Sequence, residues 1–570
     1  MILVSEQQIR EYTQQGWWGT ETLVDLFLKS AYAAPDAIAL VDPPNRSEIT
    51  FGQPQRLTYA EVEQAMNRLA AGLIDAGIGR DDIVMVQLPN IAELVVAYLA
   101  CARIGAIISP LPVQYRALEL RQTMNVAQPR AFITMTNFGG FNYLELVRDL
   151  QVEFPSLEVI FALGDNLPTD VLPLQNILAA QHDAAQLQRY IAQHPVSAND
   201  VLTICWTSGT EAEPKGVPRS HNHWINIAYV SVDVCEIGAG YNLLNPFPMT
   251  AMAAIAGMLF PWVITGGKLV MHHPLNLQVF LSQIVSEEIQ YTVAPPILLN
   301  MLLLNPAILA HVDLSRIKTI GSGSAPLSPW MVTQYEEKYG IHIVNLFGSN
   351  EGMSLASGPG EIPDPVERAQ YFPRWGVPGF EWKCRVAPSI LTKLIDPISK
   401  QVITGPNIAG ELAIKSPMVF AGYYRRPDLT QKCFDADGYF YTGDLFEIAG
   451  EGDQLNRYRF VGRLKDLIIR GGMKIAPEEI EALIIEHPKV AEVAVVGYPD
   501  KRLDEERICV VVTPKKEQTV TLDEIQDFLK AKGMAPYKLP KKLWAMDGLP
   551  RNPMGKILKR DLKAQLANGE

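Results

Sequence analysis

Over its first 460 or so residues the chain alternates stretches of helical period with short β-branched runs, as where Tyr59–Ala76 is followed by Asp82–Leu88 (DIVMVQL). Such alternation dictates α/β layers with largely parallel strands, because each helix carries the chain back between strands and covers a sheet face. The pattern changes at Gly405–Tyr424 and Gly438–Gly462, where glycine, aromatics and alternating runs predict a β-rich subdomain. After Arg463 the α/β character restarts, with helices expected over Pro477–His487 and Leu522–Lys532 and strands over Val490–Gly497 and Ile508–Thr513. At 570 residues the length allows this division. The expectation is an α/β protein: a large N-terminal domain of layered α/β subdomains plus the β-rich one, over residues 1–462, and a small mobile C-terminal α+β domain over 463–570.

Composition removes several classes. A hydrophobic content of 48% excludes a disordered chain. Fifty basic against 62 acidic residues give a net charge of −12, with no basic run to track phosphates, so nucleic acid is not an expected partner. Six cysteines without CxxC spacing point to neither a disulfide scaffold nor a structural zinc site. The first residues lack a basic segment followed by an apolar one, which predicts a cytoplasmic protein. Thr250–Val270 is apolar, yet Pro261 and Gly266-Gly267 interrupt it, so it reads as a buried helix running into a strand rather than a membrane span. His221, His223, His272 and His273 lack further ligands at helical spacing and read as structural. Nothing in the sequence fixes the oligomeric state, a homodimer being one option.

The sharpest local feature is Cys205–Arg219, CWTSGTEAEPKGVPR. A strand over Val201–Trp206 leads into Thr207, Ser208, Gly209 and Thr210, whose hydroxyls and amides can wrap a polyphosphate, with Lys215 as a point charge. It is not a Walker A loop, since Lys215 lies between Pro214 and Gly216-Val217-Pro218 instead of opening a helix.

This stretch resembles the phosphate loop of the adenylate-forming superfamily, which includes acyl- and aryl-CoA synthetases, nonribosomal peptide synthetase adenylation domains and firefly luciferase. Further motifs of that superfamily follow in order: Gly321–Leu327 (GSGSAPL), Asn345–Gly352 (NLFGSNEG), Gly410-Glu411-Leu412 with Gly422-Tyr423-Tyr424, Gly438–Asp444 (GYFYTGD), Gly462–Glu481 (GRLKDLIIRGGMKIAPEEIE) and Pro550–Lys556 (PRNPMGK). The resemblance spans about residues 20 to 565.

It implies an enzyme that uses ATP and Mg²⁺ to turn a carboxylic acid into acyl-AMP, then transfers the acyl group to coenzyme A. Joining a carboxylate to a phosphate requires cations and dipoles to cancel their repulsion. Lys556 is implied as the catalytic lysine, and Glu351 as the Mg²⁺ ligand that neutralises departing pyrophosphate. Gly323, Ser324 and Ala325 would border nucleotide and acyl group; Phe347 and Gly348 would lie against adenine, Asp444 would hold the ribose diol, and Arg463 would support ribose and α-phosphate. Lys465 falls at the hinge, about which the C-terminal domain is implied to rotate, presenting Gly471 and Gly472 to the pantetheine thiol.

Three positions depart from the usual pattern. Ala212 replaces a phosphate-loop glycine, and Asn350 replaces a threonine, its amide still able to donate to the α-phosphate. The acyl-pocket wall falls on Met249, Thr250 and Ala251, with no asparagine or aspartate as polar anchor, which favours a bulky apolar fatty, cyclic or aromatic acid. Two other readings stand beside acyl-CoA synthetase: a ligase that delivers the acyl group to a phosphopantetheinyl carrier protein, and a nucleotide-binding homologue with impaired catalysis.

Overall fold

A computed structural model describes residues 1–570 apart from 208–213, 353, 452–453, 471–472, 501–504, 552–556 and 569–570. The chain separates into two compact units: Met1–Ala369 with Pro378–Leu391 and Lys415–Gly438, and Gln370–Val377 with Thr392–Ile414 and Tyr439–Glu570.

Two sheets form the frame of the first unit. One has eight strands in the order Ser354–Ser357, His342–Gly348, Thr319–Gly323, Tyr291–Val293, Asn242–Asn245, Lys268–Met271, Ile38–Val41 and Arg56–Thr58. Its six inner strands run parallel and its two edge strands antiparallel. The other has seven, ordered Lys215–Ser220, Val201–Thr207, Ile107–Pro110, Ile83–Val86, Ala131–Met135, Val159–Leu163 and Leu172–Pro173. The helix Ala92–Ile104 is buried on every residue except Arg103, as its nearly continuous apolar sequence requires. Its Tyr98 hydroxyl donates to Met249 O at 2.5 Å, holding the segment that leaves the eight-stranded sheet.

Residues 250–270 form the expected buried helix and strand. Met252–Ala254 leads into a π-helical turn at Ile255–Leu259, then Phe260–Thr265, and the strand Lys268–Met271 follows. Pro261 has no N–H to return to Gly257, which suits the wider turn just before it. Gly266 closes the helix with φ 73°, and Trp262 Nε1 donates to Gly267 O at 3.0 Å. Among the described residues no helix is long and apolar enough to cross a membrane.

The N-terminal residues cover the start of the helix His221–Val234. Trp18 lies edge-on to the His223 ring at 5.2 Å and donates from Nε1 to Pro417 O at 3.0 Å, while Gly19 N donates to Asn222 Oδ1 at 3.1 Å.

The second unit contains a six-stranded sheet ordered Tyr371–Pro373, Gln454–Arg463, Phe440–Glu451, Gly410–Lys415, Leu391–Ile395 and Val402–Ile403. It also holds a three-stranded sheet, Val490–Asp500, Glu505–Pro514 and Lys542–Ala545, backed by the helices Pro477–Ile484, Leu522–Ala531 and Lys559–Asn568. The elements read from the sequence after Arg463 are all present, the first strand running three residues further at its end and the second three further at its start and one at its end.

Burial keeps three histidines neutral. The rings of His221 and His273 are lowered to about 4 and that of His223 well below its usual value, in each case chiefly by desolvation. His221 Nδ1 accepts from Leu23 N at 3.0 Å, a bond available only to the unprotonated nitrogen. A depressed histidine contributes stability that is complete above its unfolded value near 6.5 and is lost as pH falls towards 4. At pH 5 the loss is about 2 kcal/mol for a histidine shifted this far. Urea titrations at pH 7 and pH 5 should therefore show a pH-dependent weakening that His221→Asn, which keeps an acceptor for Leu23, reduces by about that amount. An unchanged pH difference in the variant would contradict this.

Candidate active site

The strands Val201–Thr207 and Lys215–Ser220 pair antiparallel at one edge of the seven-stranded sheet, with Thr207 opposite Lys215. Both ends of the phosphate-loop sequence are thus fixed; Ser208, Gly209, Thr210 and Ala212 themselves lie outside the described residues. The Lys215 ammonium sits 5.2 Å from the centroid of the Tyr423 ring, within cation–π range. Tyr423 in turn donates its hydroxyl to Glu351 Oε1 at 3.0 Å. Burial, with the adjacent Glu351 carboxylate, pushes the phenol well up, so it remains a donor. Tyr423 therefore connects the loop cation to the carboxylate expected to meet a metal. In the sequence it stands inside the Gly422-Tyr423-Tyr424 element, with nothing to mark the contact.

A second residue that the sequence left unassigned organises the same region. Arg219 is fully buried and donates to three main-chain carbonyls: Asn350 O from Nη1 at 2.9 Å, and His223 O and Met418 O from Nη2 at 3.0 and 2.9 Å. Its guanidinium also lies 4.4 Å over the Trp224 ring. Burial pulls it down to about 9, still charged at neutral pH. Glu351 is further held through its backbone, whose carbonyl accepts from Phe420 N at 2.8 Å. Gly352, at φ 97°, passes so near Met418 that a Cβ would come within 1.9 Å of the carbonyl oxygen Arg219 uses.

The adjacent strands carry the other residues expected around the nucleotide. Gly323 pairs with Leu346, and a Cβ there would meet Leu346 O at 2.1 Å, so glycine is required for this approach. Ser324 follows in a left-handed conformation at φ 66°, and both it and Ala325 are exposed. Phe347 is half-buried, and Gly348 is exposed at the end of its strand. Of the residues expected to wall the acyl pocket, Met249 and Thr250 are buried and Ala251 half-buried. The next residue, Met252, donates its N–H to Asn350 Oδ1 at 2.8 Å, which brings the wall and the NLFGSNEG motif together.

Asp444, Arg463 and Lys465 belong to the second unit. Asp444 and Arg463 face each other across paired strands, with Arg463 Nε 3.2 Å from the buried carboxylate. The turn before Asp444 is fixed by Thr442 Oγ1, which accepts from Asp444 N at 3.1 Å, and by Glu411 Oε1, which accepts from Gly443 N at 3.1 Å. Burial pushes the Glu411 carboxyl up. Lys465 lies in the single turn Leu464–Asp466 with its side chain exposed, and partial desolvation lowers its ammonium despite Asp466 and Asp444 nearby. Gly471, Gly472 and Lys556 lie outside the described residues.

The histidines have other duties. His223 Nδ1 lies 3.0 Å from Ser220 Oγ, and both ring nitrogens of His272 are engaged, with Gln283 Oε1 at 2.7 Å and Asn276 N at 3.1 Å. Among the described residues no group of three or more histidines, cysteines or acids could hold a metal.

The first unit thus holds Lys215 and a braced Glu351 joined through Tyr423, and the second holds the Asp444–Arg463 pair. The chain belongs to the family of AMP-binding enzymes: residues 27–424 match that family, and 479–556 match the AMP-binding enzyme C-terminal domain. It is 31% identical to the medium-chain fatty-acid–CoA ligase of Escherichia coli, over 99% of this chain and 94% of that one. It is 28% identical to the vibriobactin-specific 2,3-dihydroxybenzoate-AMP ligase of Vibrio cholerae, over 97% and 95%. The fold matches ATP-bound MatB from Rhodopseudomonas palustris with a TM-score of 0.78 at 24% identity, over 95% of this chain and 98% of that one. The protein is thus an ATP-using, adenylate-forming acid ligase.

Tyr423→Phe keeps the ring beneath Lys215 and removes the bond to Glu351. Losing a hydrogen bond to a carboxylate corresponds to about tenfold, so acid-dependent pyrophosphate release should fall by that order while the melting temperature changes little. A wild-type rate would show that Glu351 works without the phenol.

Proposed function

We propose that the chain is an AMP-forming acyl-CoA synthetase for a bulky apolar carboxylic acid, fatty, cyclic or aromatic. The observation that carries this reading is the meeting of a cation and a braced carboxylate, Lys215 and Glu351 through Tyr423, with a wall of Met249, Thr250 and Ala251 that offers no charged anchor. The similarity to a fatty-acid–CoA ligase supports it.

In the first half-reaction a carboxylate oxygen of the acid attacks the α-phosphorus of ATP and the bond to pyrophosphate breaks. Lys215 and the phosphate-loop residues Thr207, Ser208, Gly209 and Thr210 hold the phosphates, with Gly323, Ser324, Ala325, Phe347 and Gly348 around the nucleotide and acid. Asp444 accepts from the ribose hydroxyls, oriented by Arg463, and Lys556 bridges the carboxylate and phosphoryl oxygens. Glu351 suits Mg²⁺, which takes one or two carboxylates together with substrate phosphates, and when bound the ion supplies charge neutralisation for pyrophosphate. In the second half-reaction the thiol of CoA attacks the acyl carbon and AMP leaves. The body over residues 463–570 turns about Lys465 between the two steps, withdrawing Lys556 and bringing Gly471 and Gly472 to the pantetheine arm.

Similarity to proteins named as 2,3-dihydroxybenzoate-AMP ligases supports a second reading, in which the thiol belongs to a phosphopantetheinyl carrier protein. The two separate on one assay: AMP release measured across fatty, cyclic and aromatic acids, with and without CoA. A CoA-dependent rise in turnover with an acyl-CoA product is expected; no effect of CoA favours the carrier, and no AMP with any acid overturns both. Lys556→Ala should abolish acyl-AMP formation and leave CoA transfer from supplied acyl-AMP within about threefold, since only the first step draws on its charge. Equal loss of both steps would overturn the alternating use of the C-terminal body.

A further inference from the structure

The helix that follows the acyl wall has an uncapped start. Its first residue is Met252, and Ala251 at the N-cap position has no side chain able to accept a hydrogen bond. The Ala251 carbonyl serves Ala254 N and Ile255 N, leaving Met252 N outside the helix's own pattern. Asn350 satisfies that donor from a different segment, its Oδ1 accepting at 2.8 Å. Because a backbone N–H can only donate, the amide oxygen must face the helix and the NH₂ group must point elsewhere. Asn350 is itself immobilised, since Arg219 Nη1 donates to its carbonyl at 2.9 Å.

The other end of the wall segment is fixed as well. Asn90 donates from Nδ2 to Phe247 O at 2.8 Å and accepts from Met249 N at 3.2 Å, and Tyr98 holds Met249 O. Thr250 and Ala251 are therefore suspended between two clamps, one at Met249 and one at Met252. A threonine, the residue usual at position 350 in the resemblance, is shorter by one heavy atom and brings its hydroxyl less far from the main chain.

We propose that Asn350 is a positioning residue for the acid: its amide oxygen caps the wall helix from outside and thereby sets the shape of the pocket at Thr250 and Ala251. The inference rests on reading residues 249–251 as the acid's wall. It assigns the two ends of one side chain to different tasks, the oxygen to acid selection and the NH₂ group to the nucleotide side. In a chain where the helix cannot cap itself, acid preference then depends on a residue of the phosphate-facing motif.

The test is the relative kcat/KM of the wild-type full-length enzyme and two variants across a series of straight-chain and aromatic acids. Asn350→Ala removes the cap; the ranking of acids should flatten or reorder, with the ratio between the best and next acids changing by about fivefold or more. Asn350→Asp keeps an acceptor for Met252 but loses the NH₂ donors and adds a negative charge. Since every acid carries the same carboxylate, that charge should depress all rates alike and leave the wild-type ranking intact. A contact to phosphate alone would lower all acids uniformly in both variants, and a general loss of stability would do the same; either pattern overturns the proposal. So does a reordered ranking in Asn350→Asp equal to that in Asn350→Ala. If Asn350→Ala does not fold, Asn350→Thr decides, since its hydroxyl falls short of Met252 N while still able to donate: a changed ranking supports the inference and the wild-type ranking overturns it. Failure of the wild-type enzyme to activate any acid would instead overturn the reading of the function on which the proposal rests.

Discussion

A single buried cation, Arg219, organises the surroundings of Glu351 within the first unit. Among the described residues Arg219 forms no ion pair with a carboxylate; its donors go to the carbonyls of Asn350, His223 and Met418, and its face lies on Trp224. Taking a guanidinium out of water costs several kcal/mol unless its donors are satisfied, so these carbonyls must converge wherever the chain buries Arg219. They come from three segments far apart in sequence, and their convergence draws the hairpin after the phosphate loop, the motif around Glu351 and the stretch leading to Tyr423 into one place. The fall of Arg219 to about 9 leaves it a cation at neutral pH.

Much of this was legible in the sequence. The alternation of helical and strand-like runs gave the layered α/β frame, and the interruptions at Pro261 and Gly266 correctly turned an apolar stretch into a buried helix and strand. Motif residues were legible because their chemistry is local: a glycine where backbones touch, as at Gly323, or an acid and a base on paired strands, as at Asp444 and Arg463. Arg219 was not, because at the end of PKGVPR it looks like any loop cation, and its burial depends on carbonyls supplied more than a hundred residues later. Tyr423 was hidden for the same reason, its partner Glu351 being 72 positions away.

Asn350 shows the limit most clearly. The side chain has a donor end and an acceptor end, and the sequence suggested only the donor, aimed at phosphate. The acceptor acquires a role through Ala251, a residue with nothing to offer at a helix start, and the two are brought together only by folding. The second unit likewise includes Gln370–Val377 and Thr392–Ile414, strands that enter its six-stranded sheet from earlier in the chain than their neighbours, an exchange that no local pattern announces.

The opening residues also acquire a meaning that their sequence lacked. Trp18 covers the ring of His223, and the carbonyl of that histidine is one of the three that receive Arg219. Trp18 also reaches Pro417, next to the Met418 carbonyl that receives the same guanidinium. Trp18 is thus part of the lining of the interior. A protein shortened past Gly19 would open the same histidine to water and to protons, next to the charge it helps to hold.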